Sequence, residues 1–444
     1  MKRKTKFTAV LLAGIMLLSA CGSSGNDSEG NEAKNDSGNT DELVVSHYFL
    51  EEERESDTVA DSYLAMVEKW QEDNPDITLT QQTMSQSDYS TKIQAQAAVN
   101  ELPDVFMVKG SWIDNFVEND TMAPMNAYLE ADENSDKFRE GVFDAATRDG
   151  NIYGMPNQLS ITSIVYYNEE LWKLAGYDVF PDNFEDIKKA AEKFNEQGIS
   201  AIALGNSEKW PAESCILSTL GDRYTGSDWT NSIIDADGEA KFTDDNFVKA
   251  LEELQSLATA GVFNPDFNTI TETQAVEYYG QGKAATVISG HWGVASISAF
   301  ADEAVLGNTK VAILPAADGG QADSISGGSG WYFAVNKNLS GDKLEKAMDF
   351  CLQTTGYDMN VYGAENHGII GAAMVDVDKS QFPQLTQDFI TLVDEVTFTP
   401  VYDLLMDGAV IETMNTGLQD LLNDSVSAQD LAAQIQAEQD KVQK

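Results

Sequence analysis

The chain has 444 residues, with 73 Asp and Glu against 28 Lys and Arg, and a formal charge of −45 at pH 7. That balance excludes nucleic-acid binding, which is driven chiefly by Lys and Arg neutralising phosphate, and excludes strong affinity for anionic lipid. It keeps the surface soluble and disfavours a polyanionic ligand, while the length asks for two lobes rather than one core.

At the N-terminus, Lys2, Arg3, Lys4 and Lys6 precede an apolar run, Phe7 to Ala20, too short to span a bilayer as a helix. This is the anatomy of a secretory signal, 1–20. Leu18-Ser19-Ala20-Cys21 resembles a bacterial lipobox, so cleavage before Cys21 and its lipidation are expected; an incidental Cys behind a plain signal is the other reading. Losing the four basic residues of the signal takes the formal charge from −45 to −49. Residues 21–41 read as a flexible hydrated linker, because Gly22 to Asp41 contain one apolar side chain, Ala33. The folded part is thus expected on the extracellular face of the cell membrane, held by its lipid.

From Leu43 the pattern alternates strands and amphipathic helices. Leu43 to Tyr48 reads as a strand, and Val59, Tyr63, Met66, Val67 and Trp70 recur at helical spacing until Asn74-Pro75. A strand at Ile77–Thr80, a polar helix at about Tyr89–Val99 and a strand at Leu102–Val108 complete a βαβαβ rhythm. Such a rhythm implies a parallel sheet with its ligand crevice at the carboxyl ends of the strands. A second unit begins at Ile164–Tyr167. Helices follow at about 168–175 and 183–197, then a strand at Ile199–Leu204, helices at about 246–260 and 271–280, and a strand at 284–288. Cys215 and Cys351 lie in apolar helical contexts and read as buried free thiols, with no disulfide scaffold.

Several segments then resemble a known family. Asp149-Gly150-Asn151-Ile152-Tyr153-Gly154-Met155-Pro156 leads to Val165-Tyr166-Tyr167-Asn168-Glu169-Glu170-Leu171-Trp172 and Ala175-Gly176. Gly282-Lys283-Ala284-Ala285 and Ile288-Ser289-Gly290-His291-Trp292 follow, then Leu314-Pro315, Gly327-Gly328-Ser329-Gly330 and a closing Val426–Ala432 helix. In order and spacing these resemble family 1 extracellular solute-binding proteins, the carbohydrate receptors of ATP-binding cassette (ABC) importers, over 42–444. The resemblance implies a two-lobed α/β periplasmic-binding-protein-like fold of type II, each lobe a mainly parallel sheet flanked by helices. Three crossings are placed near Asn157–Thr162, Pro315–Asp318 and Gly368–Met374. The lobes would be 42–157 with 317–370, and 160–314 with 373–444, closing on ligand by hinge bending.

A sugar site needs aromatic platforms for C–H faces and short polar groups for hydroxyls, and no catalytic pair. Trp292 matches the family's Gly-x-Trp segment, whose Trp often stacks on a sugar; a core role is the alternative. His291 beside it can bond a hydroxyl, and no His or Cys spacing suggests a metal. After the strand ending at Val108, Lys109 and Ser111 are hydroxyl partners and Trp112 is a platform or core. His47 and Tyr48, followed by a solvated-looking Glu51-Glu52, sit where the first lobe meets ligand, as do Gln86 and Tyr89 with Ser85 after the second strand. Asn157 and Gln158 lie on the first crossing. Trp210 after Lys209 is a second platform, Ser329 and Trp331 flank a glycine-rich run that is not a phosphate loop, and Tyr402 is a ligand ring or hinge packing.

These readings describe a lipid-anchored monomeric receptor that binds a carbohydrate, an oligosaccharide by preference, and hands it to ABC permease subunits, with no cofactor. The alternatives are a receptor for a polyamine or peptide, one feeding a sensor, and a secreted glycoside-acting enzyme needing two facing carboxyls.

Overall fold

Apolar alternation and helical periodicity resolve into α/β layers in a computed structural model that describes residues 41–139, 141–317 and 323–442. The signal segment, Cys21 and the linker up to residue 40 lie outside the described residues, as does the Asp318 end of the second expected crossing. The strands of the three larger sheets are β1 (Glu42–His47), β2 (Thr78–Thr83), β3 (Val105–Lys109), β4 (Met155–Pro156), β5 (Ser160–Ile161), β6 (Ile164–Asn168), β7 (Thr286–Ser289), β8 (Thr309–Ile313), β9 (Ser324–Gly328), β10 (Trp331–Val335) and β11 (Thr397–Thr399).

The first sheet has the order β2-β1-β3-β10-β4. Its β1 runs parallel to β2 and β3, whereas β10 is antiparallel to β3 and β4. The second sheet, β8-β6-β7, is antiparallel, and its parallel pairing comes from isolated bridges of Ser200 to Ala284 and Ala203 to Val287. Strand direction is therefore more mixed than in the mainly parallel sheets expected. The physical reason is connectivity: β4 and β10 lie where the chain leaves and re-enters the first sheet, so they meet their neighbours head to tail. A third sheet, β11-β9-β5, pairs β9 parallel to β11 and antiparallel to β5.

Helix α1 (Thr58–Asp73) shows how local signals set an element. Asp57 caps it by accepting from Val59 N at 2.9 Å and Ala60 N at 3.0 Å. Its buried face carries Val59, Tyr63, Met66, Val67 and Trp70 into the first core, Tyr63 against His47 of β1 and Phe333 of β10 and Trp70 against Phe350 of the helix Gly341–Thr355, each full burial contributing about 2 kcal/mol. Asn74 closes it by donating to Trp70 O, ahead of Pro75. Helix α2 (Gln86–Ala98) turns Tyr89, Ile93 and Ala97 inward.

Two large cores result. One collects β1, β3, β10, α1 and the helix Gly341–Thr355, with Val401 and Leu404 added from late in the chain. The other surrounds Trp172, Phe194, Leu251, Leu254, Leu418 and Leu431. A smaller cluster joins Ile161, Ile164, Tyr166 and Val287 to Ile325 and Phe389. The chain passes from the first sheet to the third between β4 and β5, and returns between β9 and β10 through Ser329 and Gly330. It leaves the first core again between Ala373 and Phe382. Cys215 and Cys351 are buried and free. No helix among the described residues is long and apolar enough to cross a membrane.

Candidate functional site

Where the two packed bodies face each other, a cleft of about 530 Å³ opens. From one side come Tyr48 after β1, the 52–57 turn, Ser85 and Gln86 at the head of α2, and Trp331 on β10. Opposite stand Glu208, Trp210 and Ser214, then Glu272 and Thr273 opening helix α3 (Glu272–Gly280), then His291 and Trp292 leading into α4 (Gly293–Phe300). Gln158, Ser160 and Thr162 line it along the first passage, and Asp403 with Leu404 along a short turn. Ser296 Oγ donates to Ser56 O at 3.2 Å, so the two sides touch directly.

Each side carries an aromatic pair. Tyr48 meets Trp331 edge to face at 5.0 Å, and Trp112 supports Trp331 from behind at 5.5 Å. On the other side Trp210 and Trp292 meet at 5.8 Å, also edge to face. Trp292 is fixed by two features. Its Nε1 donates to Glu272 Oε1 at 3.0 Å, and its ring folds over Gly290, where an added Cβ would stand 2.1 Å from Cζ3. Only glycine leaves room for that approach. Trp210 is placed by a left-handed Lys209 (φ 71°), a conformation costly for a side chain with a Cβ and held here by Lys209 Nζ to Glu412 Oε1 at 2.7 Å. A π-turn over Glu213–Leu217 follows and brings Ser214 to the cleft.

The polar groups have distinct states. Ile161 N–H donates to His291 Nδ1 at 3.4 Å, and burial lowers the ring's pKa to about 4. The neutral ring therefore carries its proton on Nε2, which has no partner among the described residues. Burial raises the Glu272 carboxyl, while bonds from Ser289 Oγ and Trp292 Nε1 oppose the shift. The Thr271 capping box, closed with Gln274, sets the turn that aims Glu272 inward. Asp403 accepts from Lys109 Nζ at 2.7 Å through Oδ2, and its Oδ1 has no partner among the described residues. No group of three or more His, Cys, Asp or Glu among the described residues is arranged to hold a metal.

Of the residues expected from sequence, Tyr48, Gln86, Gln158, Trp210, His291, Trp292 and Trp331 come together around this cleft. Others sit behind it. Lys109 and Ser111 hold Asp403, the second through Ser111 Oγ to Asp403 O at 3.2 Å. Trp112 and Lys109 back Trp331, with Lys109 Nζ 5.2 Å from its ring centre. Ser329 Oγ reaches Gln158 O at 3.5 Å, and Asn157 is buried. Three expected contacts are core residues. His47 bonds Gln81 Oε1 at 2.9 Å among Tyr63, Phe49 and Phe333, and burial lowers its pKa to about 4. Tyr89 is fully buried, its OH donating to Met107 O at 2.8 Å and accepting from Met107 N at 2.7 Å, which staples α2 to β3. Tyr402 is fully buried against Gly221, where a Cβ would stand 2.2 Å from its OH. His47 and Tyr402 turn inward one position away from the cleft-lining Tyr48 and Asp403, whereas Tyr89 lies a turn further into α2 than Ser85 and Gln86 at its head, on the face packed against β3.

Glu208, Ser214, Glu272 and Asp403 line the cleft without having been singled out from sequence. For Glu272 the capping pattern Thr271-x-x-Gln274 was a legible sign of a helix start; for Ser214 and Asp403 only tertiary placement brings them in.

A sequence profile for bacterial extracellular solute-binding proteins matches residues 56–353. A putative binding protein of Brucella abortus (strain 2308) is 22% identical over 342 residues, 76% of this chain and 80% of that one. The arabinooligosaccharide-binding protein of Bacillus subtilis (strain 168) is 25% identical over 282 residues, 60% of each chain. Among solved structures, a chitin oligosaccharide binding protein superimposes with a TM-score of 0.81 at 21% identity, covering 90% of this chain and 98% of that one. A structure described for xylan utilization by the thermophilic bacterium Caldanaerobius polysaccharolyticus gives 0.79 at 24% identity, over 89% and 99%. These likenesses establish the two-lobed solute-binding fold. Because the profile runs through both sides of the cleft, from the turn before α1 to the helix ending at Thr355, the chain belongs to the bacterial extracellular solute-binding protein family.

Proposed function

We propose that this protein is a lipid-anchored receptor on the outer face of the cell membrane that captures a carbohydrate, preferably an oligosaccharide, between its lobes and delivers it to the permease subunits of an ABC importer. The observation that carries this reading is the pairing of aromatic walls: Tyr48 with Trp331 faces Trp210 with Trp292 across a cleft rimmed by short hydrogen-bonding groups. Sugar rings offer C–H faces to such walls and hydroxyls to groups such as the His291 Nε2–H, Gln86 and Gln158. The arabinooligosaccharide-binding relative and the chitin oligosaccharide binding neighbour support the ligand class.

In this reading the lobes are 42–157 with 317–370 and 160–314 with 373–444. Membership of the two large cores supports that division, with the refinement that Ile325 on β9 packs with the second lobe's side and Val401 and Leu404 with the first. Trp292, Trp210, Trp331, Tyr48, Gln86, Gln158 and His291 touch the sugar, while Lys109, Ser111, Trp112, Ser329 and Asn157 position those that do. Cys21 bears the lipid, and the protein acts as a monomer without catalysis.

The test is calorimetric titration of the full chain in mild detergent against α- and β-linked oligosaccharides, with product analysis of the same mixtures. Saturable binding with intact sugar recovered is expected. Cleaved sugar would make the protein an enzyme, and saturation by a peptide alone would overturn the ligand class.

A further inference from the structure

The cleft is acidic to a degree that a neutral sugar does not require. Glu52, Glu53, Glu55 and Asp57 line it from one lobe, Glu208 and Glu272 from the other, and Asp403 between them; among the described lining residues there is no Lys or Arg. Some of this charge is already used. Asp57 caps α1, Glu272 receives Trp292 Nε1 and Ser289 Oγ, and Lys109 balances Asp403 from behind. The rest is not. Glu52, Glu53 and Glu55 pair with no basic side chain among the described residues, and the Glu208 carboxylate accepts from the Glu272 backbone N–H at 3.2 Å. The Glu53 carboxyl is held above its ordinary range by desolvation, then by Asp57, Glu52 and Glu208, the last standing on the opposite lobe. Carboxylates of both lobes thus line one cleft with no basic side chain among its described lining residues, an arrangement that disfavours the apposed lobes unless a cation lies between them.

A second, independent observation lies among the buried polar atoms. The Asp403 side chain is 7% exposed, lines the cleft, and has in Oδ1 an acceptor with no partner among the described residues. His291, also buried and lining the cleft, has in Nε2–H a donor with no partner among the described residues. A ligand that satisfies both must donate to carboxylates and also accept from an imidazole N–H. A polyamine offers protonated donors and no acceptor; a neutral sugar offers both but leaves the opposed carboxylates uncompensated.

Resting on the carbohydrate reading above, we propose that the solute is an amino sugar or a short oligosaccharide with at least one free, protonated amine, its ammonium seated between Glu53 and Glu208 and its hydroxyls meeting His291 Nε2–H and Asp403 Oδ1. The flanking rings of Tyr48, Trp210 and Trp292 suit this ligand, since aromatic faces attract both sugar C–H groups and ammonium.

The experiment titrates the full chain with matched α-1,4 and β-1,4 disaccharides in three forms, neutral glucose, N-acetylglucosamine and free-amine glucosamine, with spermidine as a separate probe, at low and high salt. The free-amine form of at least one linkage is expected to bind about tenfold or more tightly than its neutral counterpart, because charge-assisted hydrogen bonds are about twice as strong as neutral ones. That advantage is expected to shrink at high salt and to vanish in Glu53→Gln/Glu208→Gln. Both positions are exposed, and a thermal melt checks that the variant folds. Equal or tighter binding of a neutral or N-acetylated form overturns the amine and leaves the carbohydrate receptor standing. An advantage that survives the double substitution also overturns the assignment. Saturation by spermidine with no sugar bound overturns both readings, and no binding of any amine-bearing probe at millimolar concentration overturns this one.

Discussion

Trp292 has two jobs that pull on one side chain. Its Nε1 satisfies Glu272, a buried carboxylate whose other described side-chain partner is Ser289 Oγ, and its ring faces the cleft beside Trp210. Trp292→Ala removes the platform and one donor to the carboxylate together. The expected loss is about tenfold to hundredfold in affinity for whatever sugar saturates the protein, about 1.5–3 kcal/mol, in line with a buried aromatic anchor. Trp292→Phe keeps an apolar face but not the donor, so it should recover part of the affinity. Calorimetry on both variants checks this, and unaltered binding by Trp292→Ala would remove Trp292 from the site.

The elements differ in how much of their placement is written locally. Helix α1 was legible at both ends because its signals are adjacent in sequence: the Asp57 cap, the inward face at helical spacing, and Asn74-Pro75. Strands β5, β9 and β11 were not. They are two to five residues long, β9 is built largely of Ser and Gly, and they exist because a passage between lobes brings them together. The expected strand Ile199–Leu204 appears only as isolated bridges, since its neighbours pair with it at single positions. The same division governs the site. Trp292, His291 and Trp210 follow motifs and line the cleft, whereas Asp403 is delivered by a turn that ordinary spacing does not mark. That turn is tied to β3 by Lys109 Nζ and Asp403 Oδ2, both sides largely buried at 14% and 7% exposure. Breaking such a pair from one end leaves a buried charge without its counter-ion. Lys109→Met is thus expected to destabilise the protein by about 3 kcal/mol in urea unfolding, with much of the loss restored by adding Asp403→Asn. Equal loss in the single and double variants would show that Lys109 contributes by packing on Trp331 instead.

At the scale of the molecule, function depends on the two lobes exchanging between separated and apposed states, because a cleft walled from both sides cannot admit solute while shut. The described state is apposed: Ser296 Oγ on α4 meets Ser56 O in the turn before α1. Opposed carboxylates on the two lips act against this apposition, and the ligand must supply the difference, which is how binding becomes a change of shape that a permease can read. The contact also gives a handle. Ser56→Cys/Ser296→Cys is expected to form a cross-link under mild oxidation, and the buried Cys215 and Cys351 should stay out of that chemistry. Cross-linked without ligand, the protein should lose association by more than about a hundredfold, since entry requires lip separation. Cross-linked with ligand inside, it should retain it through dialysis, and reduction should restore exchange in both cases. Stopped-flow fluorescence of the cleft tryptophans measures this. Unchanged association in protein whose cross-link is verified by mass would mean that solute enters by a route other than these lips, and the hinge-closing mechanism would fail with it.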